Sequence, residues 1–156
     1  MTFKDELINI LKEELDALIS LKELTYDKTD VIVNNQVEEL QEIIKKEEEL
    51  INRMALAEEE RINLLYSWGV EKNIPLSRLV EKVPEGKEEL TDLGEKLFNL
   101  LEDIKIRNDL NSQLIEENLQ WLDFNINLLT SASTSATYDK GKKGQEVKNK
   151  LFDRKV

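Results

Sequence analysis

Helical periodicity with few interruptions is the feature that most constrains how this chain can fold. From Phe3 onward, apolar residues recur at intervals of three and four, as they do along one face of an α-helix. The 156 residues include only five glycines and two prolines, the residues that most often end helices. The chain is therefore predicted to be all-α and to consist of a small number of long helices.

Local turn signals divide these helices. Asn34 and Asn35 favour a turn because asparagine tolerates left-handed backbone conformations. Gly69 suits the position after a helix end, and Pro75 suits the first turn of a short helix. These signals predict an antiparallel hairpin of two long helices, a short connecting helix and a long third helix, arranged like a three-helix bundle or coiled coil. The predicted helices are about 3–33, 37–67, 75–82 and 87–131.

The hairpin is predicted to close along an apolar line on its second helix. Folding about the Asn34-Asn35 turn pairs residues whose numbers sum to 69, which places Lys22 opposite Glu47. Each of these residues interrupts an apolar face, so their coincidence supports the hairpin. A partly exposed ion pair contributes under ~1 kcal/mol, so this pair would mainly set the register. The predicted line on helix 37–67 is Val37, Leu40, Ile44, Ile51, Met54, Leu65 and Trp68.

A change in composition predicts a helical domain over 1–131 and a flexible basic tail over 132–156. The stretch 130–137 contains only Ser, Thr and Ala, without helical periodicity. From Asp139 onward, seven Lys or Arg residues stand against three acidic ones, a net charge of +4. Tyr138 stands out as an anchor in this tail. So do Val147, Leu151 and Phe152, on a short segment from 146 to 154 that is predicted to become helical on binding.

Composition also excludes several kinds of function. The 33 acidic and 22 basic residues give a net charge of −11, which would repel a nucleic acid backbone. Cysteine and histidine are absent, so disulfides, thiol or imidazole catalysis and the usual zinc ligands are absent too. Acidic runs such as Glu58-Glu59-Glu60 point in different directions on a helix and should be solvated, without the contrasting environments that acid–base catalysis needs. We therefore expect no enzyme, no cofactor and no metal site.

The hydropathy pattern points to the cytoplasm. No segment reaches ~18 uninterrupted apolar residues, the length that a membrane-spanning helix requires. The N-terminal residues turn acidic at once and lack an apolar signal core. We therefore expect a cytoplasmic protein without membrane insertion.

Asparagines recur every seven residues at 111, 118 and 125, so all three lie along one line of the predicted helix 87–131. An amide within an apolar seam costs stability but selects one register and one partner geometry. Apolar residues flank this line on both sides, a wider arc than packing on one hairpin needs, which favours a second neighbour. Packing within the molecule alone is the alternative. The predicted protein-binding residues are Asn111, Leu114, Ile115, Asn118, Leu119, Trp121, Leu122, Asn125, Ile126 and Leu129.

Four stretches together carry a family resemblance. They are the Asn108-x-x-Asn111-x-x-Leu114-Ile115 motif, the stretch from Leu40 to Arg61, the tail sequence from Tyr138 to Gly144, and the ending from Leu151 to Val156. In these stretches the chain resembles the FlgN family of bacterial flagellar export chaperones, in its Gram-positive form.

This resemblance implies a cytoplasmic helical chaperone without catalytic activity. Such chaperones bind the C-terminal helical segments of the hook–filament junction proteins and deliver them to the export gate of the flagellar type III apparatus. It further implies that Tyr138 docks on the gate protein. The alternative from a different class is a non-enzymatic coiled-coil adaptor that self-associates through helix 87–131. A homodimer of the protein without cargo also stays open.

Overall fold

The computed structural model describes residues 2–133, with side chains through Thr130. Four helices occur in this range: α1 (Phe3–Val33), α2 (Val37–Ser67), α3 (Leu76–Lys82) and α4 (Lys87–Ser133). No strand occurs among residues 2–133, so the predicted all-α class, with three long helices and one short one, is confirmed. Residues 134–156, which make up almost all of the predicted tail, lie outside the described range. The domain division at 131 stays a prediction.

The turns after α1 and α2 are built in the same way. Asn35 and Gly69 follow the two helix ends with positive φ angles of 54° and 69°. In each turn the next backbone N–H donates to a carbonyl five residues earlier: Gln36 to Val31 at 3.0 Å, and Val70 to Leu65 at 2.9 Å. This is the Schellman arrangement, which satisfies carbonyls that a helix end leaves without partners. The predicted turn residues therefore do what their conformational preferences indicate.

The described residues form two compact units that meet within α4, one ending at Asn111 and the other beginning at Ser112. The core of the first unit comes from α1, the end of α2, α3 and the first part of α4. Burial there follows the apolar periodicity of α1 and α4, as predicted. The core residues are Leu7, Ile8, Leu11, Leu18, Leu64, Leu65, Leu79, Val83, Leu90, Leu93, Leu97 and Ile104.

Helix α3 packs closely against α4 because Gly94 has no side chain. A Cβ atom at Gly94 would lie 2.7 Å from Cδ2 of Leu76, the first residue of α3. That distance is shorter than real carbon–carbon contacts allow, so a larger residue would displace Leu76. Leu79 and Val83 are buried on the same short segment. The connection between α2 and α4 therefore contributes to the core.

The predicted packing face of α2 is wrong for four of its seven residues. Leu65 is buried and Leu40 and Met54 are half-buried, but the others are exposed: Val37, Ile44, Ile51 and Trp68. The less exposed line instead runs through Ile43, Leu50, Ala57 and Leu64. Ile43, Leu50 and Leu64 precede the predicted Ile44, Ile51 and Leu65 by one residue. A shift of one residue turns a helix by about 100°, so the helix is rotated relative to the prediction.

Charged residues also lie in the interface of α2 with α1. The predicted pair of Lys22 with Glu47 does not form. Lys22 Nζ lies 3.1 Å from Asp103 Oδ2 on α4, and Glu47 Oε1 lies 3.3 Å from Lys28 Nζ. The side chains of Lys28 and Glu47 are both largely buried, so this ion pair lies within the interface of α1 and α2.

A second charge pair lies deeper in the same interface. Arg61 Nε lies 3.2 Å from Glu14 Oε1, and the Glu14 side chain is largely buried. Burial raises the pKa of Glu14 above its usual value, the charge of Arg61 opposes the shift, and that of Glu58 adds to it. Desolvation is thus the dominant effect on this carboxyl.

Candidate protein-binding surface on helix α4

Asn111 is part of the bundle in this structure, in contrast to its predicted place on a binding surface. Only 2% of the residue is exposed. Its Oδ1 accepts a hydrogen bond from Thr29 Oγ1 at 2.6 Å, and its Nδ2 donates to the carbonyl of Thr25 at 3.0 Å. Because both the oxygen and the nitrogen of this amide are hydrogen-bonded to α1, the side chain is not available to a partner here. It fixes the register of α4 on α1 within the first unit.

The later asparagines of the row have more accessible positions. Asn118 and Asn125 are both half-buried. Asn125 Nδ2 donates to the carbonyl of Trp121, one turn earlier on the same helix, at 2.8 Å. This leaves the Asn125 carbonyl oxygen pointing away from that bond and able to accept another. The amide line is thus partly accessible beyond Asn111.

Large apolar side chains are exposed along the same part of α4. Trp121 is 65% exposed and Leu129 is 70% exposed, and Leu122 and Ile126 are about half exposed. Leu114, Ile115 and Leu119 are half-buried. The predicted site residues from Leu114 to Leu129 therefore share one helical segment, which we call the α4 face.

Phe124 and Leu128 were not among the predicted site residues, yet both are more than half exposed on the same segment. Leu128 stands three residues after Asn125, as Leu114 and Trp121 do after the earlier asparagines, and Phe124 is three residues after Trp121. This spacing and the total apolar content of the stretch were the signals that could have found them. The accessible apolar arc is therefore wider than predicted.

The charged residues in the stretch that contains the α4 face are all acidic. Between Ser112 and Ser133 the acidic residues are Glu116, Glu117 and Asp123, and this stretch contains no Lys or Arg. The net charge of this stretch is therefore −3; Glu117 borders the exposed apolar side chains, and Glu116 and Asp123 lie on the other side of the helix. A partner with basic residues beside its own apolar face would complement it.

A separate apolar groove, which the sequence did not predict, lies within the first unit. It has a volume of about 480 Å³ and includes Phe3, Trp68, Val70, Leu79 and Val83 in its lining. The rings of Phe3 and Trp68 pack at a centroid distance of 5.2 Å on one side of it. The two aromatic residues, each near a helix end, were the available sequence signal.

Two further observations concern metals and membranes. Within residues 2–130, no group of three or more acidic side chains is placed to hold a metal ion. None of the described helices is long and apolar enough to cross a bilayer. Tyr138, the predicted docking residue for the export gate, lies outside the described residues.

An all-α chain with a long helix that carries accessible apolar residues and amides belongs to the class of helical protein-binding proteins. The FlgN protein family model matches residues 1–146. YvyG, an uncharacterized protein of Bacillus subtilis (strain 168), is 30% identical over 153 residues, covering 92% of this chain and 96% of the relative. No solved structure matches the chain.

The chain belongs to the FlgN family, whose members are flagellar export chaperones. The family predicted from the sequence motifs is thereby confirmed.

Proposed function

We propose that this protein is a cytoplasmic chaperone that binds the C-terminal helical segments of hook–filament junction proteins through its α4 face. It delivers them to the export gate of the flagellar type III apparatus. The observation that carries the proposal is the accessible apolar arc from Leu114 to Leu129. Contiguous apolar surface of this kind on a water-exposed helix usually marks a protein interaction site.

The mode of binding follows from the shape of the face. An amphipathic helix from the cargo lies along α4 and buries its apolar side against Trp121, Leu122 and Ile126. Each large apolar side chain that becomes fully covered contributes roughly 1.5–3 kcal/mol before the entropy of association is subtracted. Three or four such residues give moderate affinity, which suits a chaperone that must release its cargo.

The half-buried amide of Asn125 adds selectivity. A cargo helix that covers Asn125 must offer a donor to its carbonyl oxygen, because a buried polar group without a hydrogen bond is costly. A helix that is apolar throughout would bury this oxygen without compensation. The amide therefore favours one register and one type of cargo.

Delivery requires a second contact, which we assign to the tail. Tyr138 follows α4 by a few residues and precedes a lysine-rich run. A large aromatic side chain at that place is suited to a pocket on the export gate protein. Cargo and gate are then held by separate parts of the chain.

Calorimetry with purified junction proteins tests the binding step. The full chain is titrated with an intact junction protein and with a version that lacks its C-terminal helical segment. Binding of the first and loss of binding with the second are expected. Equal affinity for both versions would place the recognised segment elsewhere and contradict the proposal.

Self-association as a coiled-coil adaptor is a second candidate function, favoured by one observation on α2. Val37, Ile44 and Ile51 recur every seven residues and are exposed, and Ile51 is 54% accessible. An uncovered apolar line with heptad spacing is typical of a coiled-coil seam. Size-exclusion chromatography with light scattering distinguishes the two candidates. A stable dimer that does not bind junction proteins supports the adaptor, and a monomer that binds them supports the chaperone.

A further inference from the structure

The α4 face poses a problem for the protein without cargo. Six large apolar side chains on it are about half exposed or more: Trp121, Leu122, Phe124, Ile126, Leu128 and Leu129. Free proteins rarely leave such a contiguous patch in water, because it promotes association with other exposed surfaces. A chaperone that waits for cargo therefore benefits from a cover that cargo can displace.

Charge argues for a basic cover. The stretch from Ser112 to Ser133 carries three acidic residues, Glu116, Glu117 and Asp123, and no Lys or Arg. Glu117 borders the apolar arc, while Glu116 and Asp123 lie on the other side of the helix. A second copy of the chain would bring a helix of the same charge against this one. Like charges close to one another across an interface are unfavourable, so a copy of the same face fits poorly.

The sequence after α4 has the opposite charge. From Asp139 to Val156 it carries a net charge of +4. Its apolar residues are concentrated between 146 and 154, where Val147 and Leu151 are spaced by four and Phe152 follows. That spacing would put Val147 and Leu151 on one side of a helix, between Lys148, Lys150 and Arg154. The segment thus carries the basic residues that the stretch from Ser112 to Ser133 lacks.

We propose that, in the protein without cargo, residues 146–154 of the same chain cover the α4 face. This inference rests on the proposed function, because it assigns the cover to the cargo surface. Val147, Leu151 and Phe152 occupy part of the apolar arc, and the lysines are attracted to the net negative charge of α4, with Glu117 at the edge of the arc. Cargo, with a longer apolar side, displaces the segment.

Chain length permits this arrangement. The twelve residues from 134 to 145 can span up to about 40 Å when extended. The helical stretch from Leu114 to Leu129 is about 24 Å long. Three apolar residues bind weakly as a free peptide, but a short tether supplies an effective concentration on the order of millimolar. The cover is therefore formed but readily displaced.

The fluorescence of Trp121 measures directly whether the α4 face is covered. The chain has two tryptophans, so Trp68→Phe leaves Trp121 as the only one. In this background, quenching of Trp121 by acrylamide is compared for three chains: the full chain, a chain ending at Ala136, and Leu151→Asp. Val156→Asp is the matched control, because it makes the same charge change in the tail outside the segment. Hydrogen exchange of α4 in the otherwise unmodified chains gives a second readout that does not depend on Trp68.

The expected result is weaker quenching and slower exchange in the full chain and in Val156→Asp than in the other two. High salt should raise quenching in the full chain toward that of the shortened chain. Equal quenching and equal exchange in all four chains would show an open face and overturn the proposal. Protection that grows with protein concentration would indicate a second copy as the cover and would also overturn it.

The proposed cover also predicts a difference in cargo affinity, which is measured independently of quenching and hydrogen exchange. Because a covered face lowers the fraction of competent protein, the shortened chain should bind a junction-protein segment about two- to tenfold more tightly. If neither chain binds cargo, the proposed function fails, while quenching and exchange still decide whether the tail covers α4. Equal cargo affinity of the two chains would contradict the cover.

Discussion

At the scale of single residues, identical side chains at identical spacing have different roles. Asn111, Asn118 and Asn125 are spaced by seven, but only Asn111 is fully buried and bonded to α1. Sequence spacing predicts that three residues share one line of a helix. It does not say which of them meets another helix, because that depends on Thr25 and Thr29, more than eighty residues earlier.

Asn111→Ala should lower the free energy of unfolding by about 2 kcal/mol, because two buried hydrogen bonds are lost and the Thr25 carbonyl loses a partner. Asn125→Ala is the control: Asn125 is half-buried and donates a hydrogen bond within its own helix, so a change within about 0.5 kcal/mol is expected. Urea unfolding measures both. Equal losses in the two variants would contradict the distinction drawn here.

The raised pKa of Glu14 predicts that stability depends on pH, and a substitution of Glu14 isolates this effect. Burial raises its pKa in the folded chain, so the folded state binds the proton more tightly than the unfolded state. Its contribution to stability is fully present below the ordinary carboxyl pKa and is lost as pH rises through the raised pKa. The free energy of unfolding of Glu14→Gln should therefore increase relative to wild type as the pH rises above the ordinary carboxyl pKa.

Glu13→Gln is the matched control for this experiment, since Glu13 is largely exposed beside Arg53. The difference in free energy of unfolding between Glu13→Gln and wild type should change little over the same pH range. A difference between Glu14→Gln and wild type that stays constant with pH would refute the assigned effect of burial.

At the scale of helices, the ends were more predictable than the faces. Asn35 and Gly69 end α1 and α2 through local backbone preferences, which sequence carries directly. The face of α2 was not predictable in this way. Adjacent apolar pairs such as Ile43-Ile44, Leu50-Ile51 and Leu64-Leu65 make two neighbouring lines equally apolar. Periodicity alone cannot choose between these lines.

Substitutions at the two turns should affect stability to different extents. Gly69→Ala should cost about 1 kcal/mol, because a Cβ atom is unfavourable at a φ of 69° even with no neighbour nearby. Asn35→Gly should be neutral within about 0.5 kcal/mol, since glycine adopts the same left-handed conformation readily. Thermal unfolding of the two variants checks both. A neutral Gly69→Ala would mean that the turn relaxes to another conformation.

At the scale of the whole molecule, charge divides the chain into an acidic part and a basic C-terminal part. Residues 1–138 carry 15 basic and 30 acidic residues, while the rest has a net charge of +4. The all-α class and the family followed from periodicity and motifs. The accessible segment of α4 was predicted as well, except for Asn111, because excess apolar surface is visible in sequence. Its extent to Phe124 and Leu128 needed the burial of individual residues.

Deletion of residues 137–156 should leave the unfolding temperature almost unchanged, because these residues contribute few apolar groups to a core. Cargo binding should persist, since the α4 face ends near Leu129. Secretion of junction proteins from cells should fail, and Tyr138→Ala should reproduce much of that failure. Normal secretion by the shortened chain would exclude the docking role of the tail.

The measurement that tests the central claim most directly is cargo binding by a double variant of the α4 face. Leu122→Asp with Ile126→Asp places two charges within the exposed apolar arc. Ile44→Asp with Ile51→Asp is the matched control, because these residues of α2 are similarly exposed and carry the same change. Both variants should keep the helical content of wild type by circular dichroism.

Calorimetry with a junction-protein C-terminal segment then compares the two variants. The α4 variant should lose at least ~3 kcal/mol of binding free energy, which is more than a hundredfold in affinity, because two apolar contacts become buried charges. The α2 variant should bind as wild type does. Wild-type affinity in the α4 variant, or an equal loss in the α2 variant, would contradict the assignment of cargo binding to α4.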